Sequence, residues 1–307
     1  MEPKLAIILC TKNGEEFLNH QLESIEKQDF RSFDLFISDD SSSDNTNKII
    51  QSFKKISKIN NIFILKGPNK GFAINFIKTL SNIKNKYDYF AFSDQDDIWQ
   101  PNKLSSAINA LKSLDGKLPN LYCSRTINID EKGNKIGISP LFSKRPSFRN
   151  ALVQSIAGGN TMVFNSLSAN ALSEINLNFE VISHDWLLYQ IVSGSNGKVI
   201  YDKKPKILYR QHSKNIIGSN NNLLAIFNRV LLMLRGEFSG WIKSNEFHLE
   251  RHAKITAKNK LIIESFKKLS SWNIFKRLFI FFKIGLYRQT LFGNISMLIA
   301  VLLRKLR

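Results

Sequence analysis

The sequence predicts an α/β fold in which helices flank a mostly parallel sheet. Short apolar runs of strand length alternate with stretches of helical periodicity through the first half of the 307-residue chain. The resulting β-α-β-α-β-α-β order joins parallel strands through right-handed crossovers. Polar loops follow three of these runs, and two of the loops are rich in aspartate. They lie where α/β folds place their ligand sites.

The first four strands and three helices follow from apolar spacing and from the turn residues between them. A polar turn after the second strand offers Ser43 or Asp44 as a cap for the next helix. Gly67–Gly71 separates the third strand from its helix. The predicted strands are Leu5–Cys10, Phe33–Ser38, Ile62–Leu65 and Tyr89–Phe92, and the helices are Glu15–Lys27, Asn45–Lys58 and a third ending at Ile83.

The second half contains further strands and helices, and then a helical, basic region. Pro101 opens a helix to Leu114, as proline favours a first turn, and Ser183 can cap a helix over His184–Val192. We divide the chain into a domain of residues 1–220 and a basic, amphipathic helical region of residues 221–307. The further predicted strands are Leu121–Ser124, Thr161–Phe164, Lys198–Tyr201 and Ile207–Tyr209.

Composition indicates a folded chain in a reducing compartment. A hydrophobic content of 43% with 11% aromatics excludes wholesale disorder. Cys10 and Cys123 lie in apolar runs without metal-type spacing, so we expect two reduced core residues in a cytosolic protein. The start, Met1–Lys4, leads straight into a strand and lacks the layout of a signal peptide.

The net charge of +19 is concentrated at one end of the chain. Residues 203–307 hold 21 Lys/Arg and 4 Asp/Glu, a net charge of +17, whereas residues 1–202 carry only +2. This asymmetry predicts a polyanionic partner for the last third, either a membrane surface or a nucleic acid.

An acidic motif directly follows the strand Tyr89–Phe92. Asp94, Asp96 and Asp97 place three carboxylates within four residues, and a bound divalent cation is the usual compensation for their repulsion. Oxygen ligands suit Mg²⁺ or Mn²⁺. The alternative is an acidic loop that caps the helix beginning near Pro101.

Three motifs resemble those of the inverting GT-A glycosyltransferases of family two, and of bacterial rhamnosyltransferase-like enzymes in particular. They are Cys10–Gly14 (CTKNG), Ser38–Asp44 (SDDSSSD) and Ser93–Trp99 (SDQDDIW). The resemblance covers roughly residues 4–218. It implies a GT-A (Rossmann-like) fold, a UDP- or dTDP-sugar donor, Mg²⁺ or Mn²⁺, and a hydroxyl acceptor on a cell-surface glycan or lipid-linked molecule.

The resemblance assigns nucleotide contacts to the first two motifs. Thr11, Asn13 and Glu15 would line the nucleotide pocket. Asp40 would accept a hydrogen bond from the imide of uracil or thymine, and Asp39 would support its turn. The alternative for both aspartates is capping of a helix N-terminus.

The resemblance also assigns the metal and the diphosphate. Asp94 and Asp96 would form the DxD pair that holds the metal on the donor diphosphate, with Asp97 in a supporting position. His212 would be a third metal ligand or a diphosphate contact. Arg210 would supply positive charge toward the diphosphate.

The acceptor side rests on two further positions. By resemblance Asp185, at the start of a predicted helix, is the general base for the acceptor hydroxyl. The alternative is a carboxylate that only favours the helix N-terminus. Gly159, just before a strand, permits close approach of the backbone to a bound sugar.

The segment Trp272–Arg307 mixes aromatic, aliphatic and basic residues. Its longest uncharged run, Gln289–Leu303, has 15 residues, and a membrane span needs about 20. We expect helices that lie in the headgroup region and attach the protein to the inner face of the cell membrane. A buried helical hairpin or a homodimer interface is the alternative.

Two other function classes compete with the enzyme. The pI near 9.9 permits a nucleic-acid-binding protein, and the same fold permits a catalytically silent scaffold that uses the basic end. The acidic loops argue against nucleic acid, because they repel phosphate unless a metal is bound, so no nucleic-acid partner is expected.

Overall fold

The computed structural model describes residues 3–213 and 236–307. Its first half has the predicted alternation of strands and helices. The helix over Leu18–Glu26 begins three residues after the predicted start at Glu15, because residues 15–17 form a turn. The elements are β1 (Leu5–Thr11), α1 (Leu18–Glu26), β2 (Phe33–Asp39), α2 (Thr46–Ile56), β3 (Ile62–Lys66), α3 (Phe72–Ile83) and β4 (Tyr89–Ser93).

The second half departs from prediction in several strands. The strand predicted over Leu121–Ser124 continues to Ile129, and the strands Ile98–Trp99 and Lys135–Ile138 were not predicted. The two short strands expected at residues 198–201 and 207–209 are one strand, β9, whose pairing with β6 is interrupted by a register shift. The strand expected from Thr161 begins at Val163, because Gly159–Thr161 form a 3₁₀ turn. The elements are β5 (Ile98–Trp99), α4 (Lys103–Lys112), β6 (Asn120–Ile129), β7 (Lys135–Ile138), α5 (Phe148–Ala151), β8 (Val163–Asn165), α6 (Ser166–Ser173), α7 (His184–Gly194) and β9 (Lys198–Arg210).

The strands form one mixed sheet in the order β3-β2-β1-β4-β8-β6-β9-β5, with β7 paired to β6. The first four strands are mutually parallel, and β6 is parallel to β9. The strand β8 runs antiparallel between β4 and β6. The predicted mostly parallel α/β sheet is confirmed.

Both faces of the sheet are covered, which explains the continuous apolar character of its strands. In β1, Leu5, Ile7 and Leu9 pack with α1, α2 and α4, whereas Ala6 and Ile8 pack with α3, α6 and α7. The two cysteines are buried and unbonded to one another, as predicted.

The described part of the last third is helical and shares the core of the sheet. Its helices are α8 (Glu237–Arg251), α9 (Ala257–Lys267), α10 (Ile274–Ile284) and α11 (Leu291–Leu302). Ile242, Ile263 and Met297 belong to the same apolar cluster as α3 and α7. None of the helices within residues 3–213 and 236–307 has the length and apolarity of a membrane span. The predicted boundary between residues 220 and 221 lies outside the described residues.

Candidate active site

The three polar loops predicted to share a site meet at the carboxyl edge of the parallel strands. Thr11 lies beside Asp39 in the register of β1 and β2, and Leu9 lies beside Ser93 of β4. The backbone N–H of Asp40 donates to the carbonyl of Thr11 at 2.8 Å. The first, second and fourth strands therefore deliver their loops to one place.

Gln95, which the motif assignment passed over, fastens the acidic loop to the first loop. Its Oε1 accepts from the Thr11 hydroxyl at 2.6 Å and from the Lys12 N–H at 2.9 Å, and its Nε2 donates to the Lys12 carbonyl at 3.2 Å. A Cβ on Gly14 would lie 2.5 Å from the same Oε1. The predicted Thr11 contact to the nucleotide stays a prediction, while its hydroxyl bonds Gln95 here.

Asn13 and Glu15 tie the first loop to the loop after β2. The Oδ1 of Asn13 accepts from the Ser43 N–H at 2.9 Å, and Oε2 of Glu15 accepts from the N–H and side chain of Asn45, both at 2.9 Å. A surface cleft opens beside these side chains. Asn13 and Glu15 therefore line the cleft in which we predict the nucleotide to bind, and their own hydrogen bonds hold the two loops around it together.

Asp39 and Asp40 organise two different turns. Asp39 accepts from the N–H of Ser42 at 3.1 Å and from the hydroxyl of the same serine. The two oxygens of Asp40 accept from the N–H groups of Asn69 at 2.6 Å and Gly71 at 3.1 Å, at the start of α3. The contact of Asp40 with a nucleobase stays a prediction.

Asp97 and Lys103 lie fully buried beneath the acidic loop. Asp97 accepts from the backbone N–H of Arg210 at 3.2 Å and from the side-chain amide of Asn160. The Nζ of Lys103 has no hydrogen-bond partner among the described residues and lies 3.3 Å from the centre of the Trp99 ring. Burial raises the pKa of Asp97 and lowers the pKa of Lys103, whose charge faces those of Asp97 and Asp94.

Asp94 shows that the cluster holds more negative charge than its surroundings neutralise. Burial raises the pKa of Asp94 to about 8, and the negative charges of Asp96 and Asp185 add to the effect against the opposing charge of Lys103. Repulsion of this kind is relieved when a cation binds between the carboxylates.

The donor types at this edge fit a divalent metal. The Oδ2 of Asp96 lies 2.9 Å from Nε2 of His212, so a carboxylate and an imidazole stand side by side. Within residues 3–213 and 236–307 no three His, Cys, Asp or Glu side chains form a ready cage. Mg²⁺ and Mn²⁺ accept carboxylate ligands and commonly take the rest of their ligands from phosphate and water.

Arg210 connects the acidic loop to the turn after β6 through hydrogen bonds to backbone carbonyls. Its buried guanidinium donates to the carbonyl of Asp96 at 3.1 Å and to the carbonyls of Asp130 at 3.2 Å and Glu131 at 2.7 Å. The guanidinium also lies 4.7 Å from the centre of the Phe17 ring. The predicted contact of Arg210 with a diphosphate stays a prediction; the neighbouring Lys214 lies outside the described residues.

Asp185 faces both the helix that it begins and the loop before β8. Its Oδ1 accepts from the Trp186 N–H at 2.6 Å and from the Ser183 hydroxyl, and its Oδ2 accepts from the Gly159 N–H at 2.8 Å. A Cβ on Gly159 would lie 2.6 Å from Nε2 of His184, so only glycine fits there without a shift. The close approach expected of Gly159 is made, in this structure, to His184 and Asp185.

His184, next to the predicted base Asp185, packs among aromatic side chains. Its ring stacks on Phe76 with the centroids 4.1 Å apart and meets the edge of Phe92 at 4.7 Å. Neither ring nitrogen has a hydrogen-bond partner among the described residues. Burial lowers the pKa of His184 to about 4, against the charge of Asp185, so the imidazole is neutral at pH 7.

Comparison with known proteins agrees with this architecture. Residues 6–168 match the family model described as Glycosyl transferase family 2. The dTDP-rhamnosyl transferase RfbG of Shigella flexneri is 32% identical over 233 residues, 73% of this chain and 78% of the relative. A Campylobacter jejuni GalNAc(5)-diNAcBac-PP-undecaprenol beta-1,3-glucosyltransferase is 33% identical over 113 residues, 36% of this chain and 33% of the relative.

Two solved structures share the fold at low sequence identity. S. aureus TarS 1-349 has a TM-score of 0.57 at 13% identity, over 92% of this chain and 72% of its own. The mannosyltransferase PcManGT of Pyrobaculum calidifontis, in complex with GDP-Man and Mn²⁺, also has a TM-score of 0.57 at 13% identity, over 98% of this chain and 75% of its own. The chain belongs to glycosyl transferase family 2 and is a glycosyltransferase of the GT-A fold.

Proposed function

We propose that this enzyme is an inverting, metal-dependent transferase that moves a sugar, rhamnose in the first instance, from a nucleoside-diphosphate donor to a hydroxyl group. The observation that carries the proposal is the loop of Gly159 and Asn160, which links Asp185 to the acidic motif. The Gly159 N–H donates to Asp185 at 2.8 Å, and the side-chain amide of Asn160 donates to Asp97. A base for the acceptor and a metal site for the donor thus lie at one edge of the sheet. The similarity to a dTDP-rhamnosyl transferase supports rhamnose.

On the donor side, Asp94, Asp96 and His212 would hold Mg²⁺ or Mn²⁺. A bound divalent cation stabilises the negative charge that develops on the departing nucleoside diphosphate. The loop bearing Thr11, Asn13 and Glu15 and the turn of Asp39 and Asp40 would bind the nucleotide. Gln95 holds the acidic loop next to the first loop through its hydrogen bonds to Thr11 and Lys12.

The acceptor side uses Asp185 to take the proton of the attacking hydroxyl. Two backbone N–H groups, of Gly159 and Trp186, fix the orientation of its carboxylate. The adjacent His184 is neutral and buried, so it does not form a competing ion pair with Asp185. An inverting displacement would need this carboxylate beside the acceptor hydroxyl, on the face of the sugar opposite the leaving group.

The acceptor that we propose is a lipid-linked glycan at the inner face of the cell membrane. One relative is named as a transferase acting on an undecaprenol-diphosphate-linked glycan. The net charge of +17 in residues 203–307 suits an anionic leaflet. Family membership favours this enzyme over the nucleic-acid-binding and scaffold alternatives.

A donor panel tests the proposal directly. The purified full chain is incubated with dTDP-rhamnose, UDP-sugars and GDP-mannose, with Mn²⁺ or with a chelator, and with polyprenyl-diphosphate-linked glycan. We expect metal-dependent release of dTDP and a product of opposite anomeric configuration, measured by NMR. No nucleotide release from any donor would refute the proposal, and release from UDP- or GDP-sugars alone would refute rhamnose.

A further inference from the structure

The helices α10 and α11 form an antiparallel hairpin whose open end is held together by the buried side chain of Arg277. The buried Arg277 of α10 donates to the carbonyls of Val301 at 2.9 Å and Leu302 at 2.8 Å, at the end of α11. The same guanidinium donates to the carbonyls of Ser271 at 2.7 Å and Trp272 at 2.9 Å, before α10. The start of one helix is thereby fixed to the end of the other.

One face of this hairpin is fixed to the body of the enzyme. The side-chain amide of Asn150 donates to the carbonyl of Tyr287, between the two helices, at 3.0 Å. The hydroxyls of Tyr287 and Ser147 lie 2.7 Å apart. The residues of the hairpin that join the core of the sheet are Ile280, Phe281, Ile284, Met297, Ala300 and Val301.

The opposite face is apolar and exposed. Its residues recur at helical spacing, so each helix presents one stripe away from the core. Five aromatic rings exposed to this degree amount to roughly 550–950 Å² of apolar surface, above what a monomeric soluble protein usually shows in one patch. The most exposed members are Trp272 (83%), Phe275 (80%), Phe279 (67%), Phe282 (67%), Leu291 (74%) and Phe292 (76%).

The charge around this face has one sign. Residues 265–307 contain nine Lys or Arg and no Asp or Glu. Lys276 and Lys283 are exposed on α10 next to the aromatic stripe, and Lys305 is exposed after α11. The guanidinium of Arg304 lies 3.5 Å from the centre of the Trp272 ring, so positive charge borders the aromatic patch.

We propose that the exposed face of the α10–α11 hairpin docks into an anionic lipid bilayer, with both helices lying in the plane of the headgroups. This inference deepens the proposed membrane location and does not depend on the donor. Helices of 11 and 12 residues are too short to span a bilayer but suit an interfacial position. A second copy of the chain would bring two wholly cationic borders together, which opposes self-association.

Trp272 reports on the docking of this face. The full chain is mixed with vesicles of phosphatidylcholine alone or with about one-third phosphatidylglycerol at physiological salt, and its emission and sedimentation are followed. We expect a blue shift and co-sedimentation with the anionic vesicles only, with the shift lost in Trp272→Phe while sedimentation persists. Of the other three tryptophans, Trp99 and Trp186 are buried and Trp241 is partly buried against the core, so they give a constant background.

Matched variants separate the apolar and electrostatic contributions. Phe279→Ser with Phe282→Ser should weaken vesicle binding at least tenfold, and Lys276→Gln with Lys283→Gln should weaken it by about fivefold per lysine. The control Ile56→Ser removes an equally exposed apolar side chain from α2, 80% exposed, and should leave binding unchanged.

Three results would overturn the proposal. One is binding of the wild type that is indifferent to the double phenylalanine change; another is a concentration-dependent dimer in solution that this change dissolves. The third is tight binding of single-stranded RNA through the same lysines without vesicle binding. Nucleotide release from the donor, measured without vesicles, is a separate readout, so failure of docking is distinguishable from failure of the proposed reaction.

Discussion

At the scale of single residues, Asp185 is bound in two ways that have different consequences. Its Oδ1 serves the start of α7, and its Oδ2 serves the loop of Gly159. An asparagine can still accept at the Oδ1 position and so keep the start of α7, but its amide nitrogen cannot accept from the Gly159 N–H, and the side chain cannot take a proton at neutral pH. The helix can thus be preserved while the chemistry is removed.

We therefore expect Asp185→Asn to lower the transfer rate by about 10²–10⁴ and to leave the KM for the donor near that of the wild type. Transfer to acceptor is followed by product formation, and folding by circular dichroism. Retention of the wild-type rate would show that Asp185 is only a helix cap.

Gly159 has no room for a side chain, so a larger residue at this position should lower both stability and activity. A methyl group at this position would press on His184 and on the Cβ of Asp185, 3.3 Å away. We expect Gly159→Ala to cost about 1–3 kcal/mol of stability and to reduce kcat by displacing the base. Gly116→Ala, where a Cβ meets nothing within 4 Å, is the matched control and should behave as wild type in melting and turnover.

His184 gives the stability of the enzyme a defined dependence on pH. Its folded pKa of about 4 is below its ordinary value of 6.5, so the unfolded chain binds the extra proton between these values. The stabilisation is fully present above pH 6.5 and is lost as pH falls toward 4, with up to about 3 kcal/mol involved.

We expect His184→Phe to lose less stability than the wild type between pH 7.5 and pH 4.5. Urea unfolding at both values measures the difference. Equal losses in the two proteins would mean that His184 titrates normally.

At the scale of elements, the loops of β1 and β4 depend on one side chain. Gln95 makes three hydrogen bonds to Thr11 and Lys12, each contributing roughly 0.5–1.5 kcal/mol. We expect Gln95→Ala to raise the KM for the donor about tenfold and to lower thermal stability. Gln51→Ala, on the exposed surface of α2, is the control; an unchanged KM for Gln95→Ala would show that the loops are positioned independently.

The elements also show how far sequence reasoning reaches. Strands β1 to β4 were predictable to within a residue because each is an apolar run bounded by turn residues. The continuity of β9 was not, since a polar stretch of lysines interrupts its apolar pattern. Residues 203–206 lie where the register with β6 shifts, and the pairs on either side of them join the two halves into one strand. The roles of Gln95 and Lys103 were not predicted for a related reason. They arise from contacts with residues distant in the sequence, which no local pattern encodes.

At the scale of the whole molecule, the basic end is an integral part of the fold. The hairpin contributes to the same core cluster as α3 and α7. Deleting residues 272–307 would expose that core, so we expect a fall in Tm of about 10 °C or more and aggregation, rather than a simple change of location. A truncated protein with wild-type Tm would contradict the shared core. The exposed-face change, Phe279→Ser with Phe282→Ser, should leave Tm unaltered.

The four carbonyl bonds of Arg277 have a consequence for geometry at the membrane. Because one guanidinium joins the start of α10 to the end of α11, its bonds oppose separation of the two helices and their merging into one longer helix. A docked enzyme would then sit at a single depth, and its sheet edge would stand at a constant height above the lipid. The length of the acceptor's linker, rather than any movement of the protein, would select which hydroxyl meets the base.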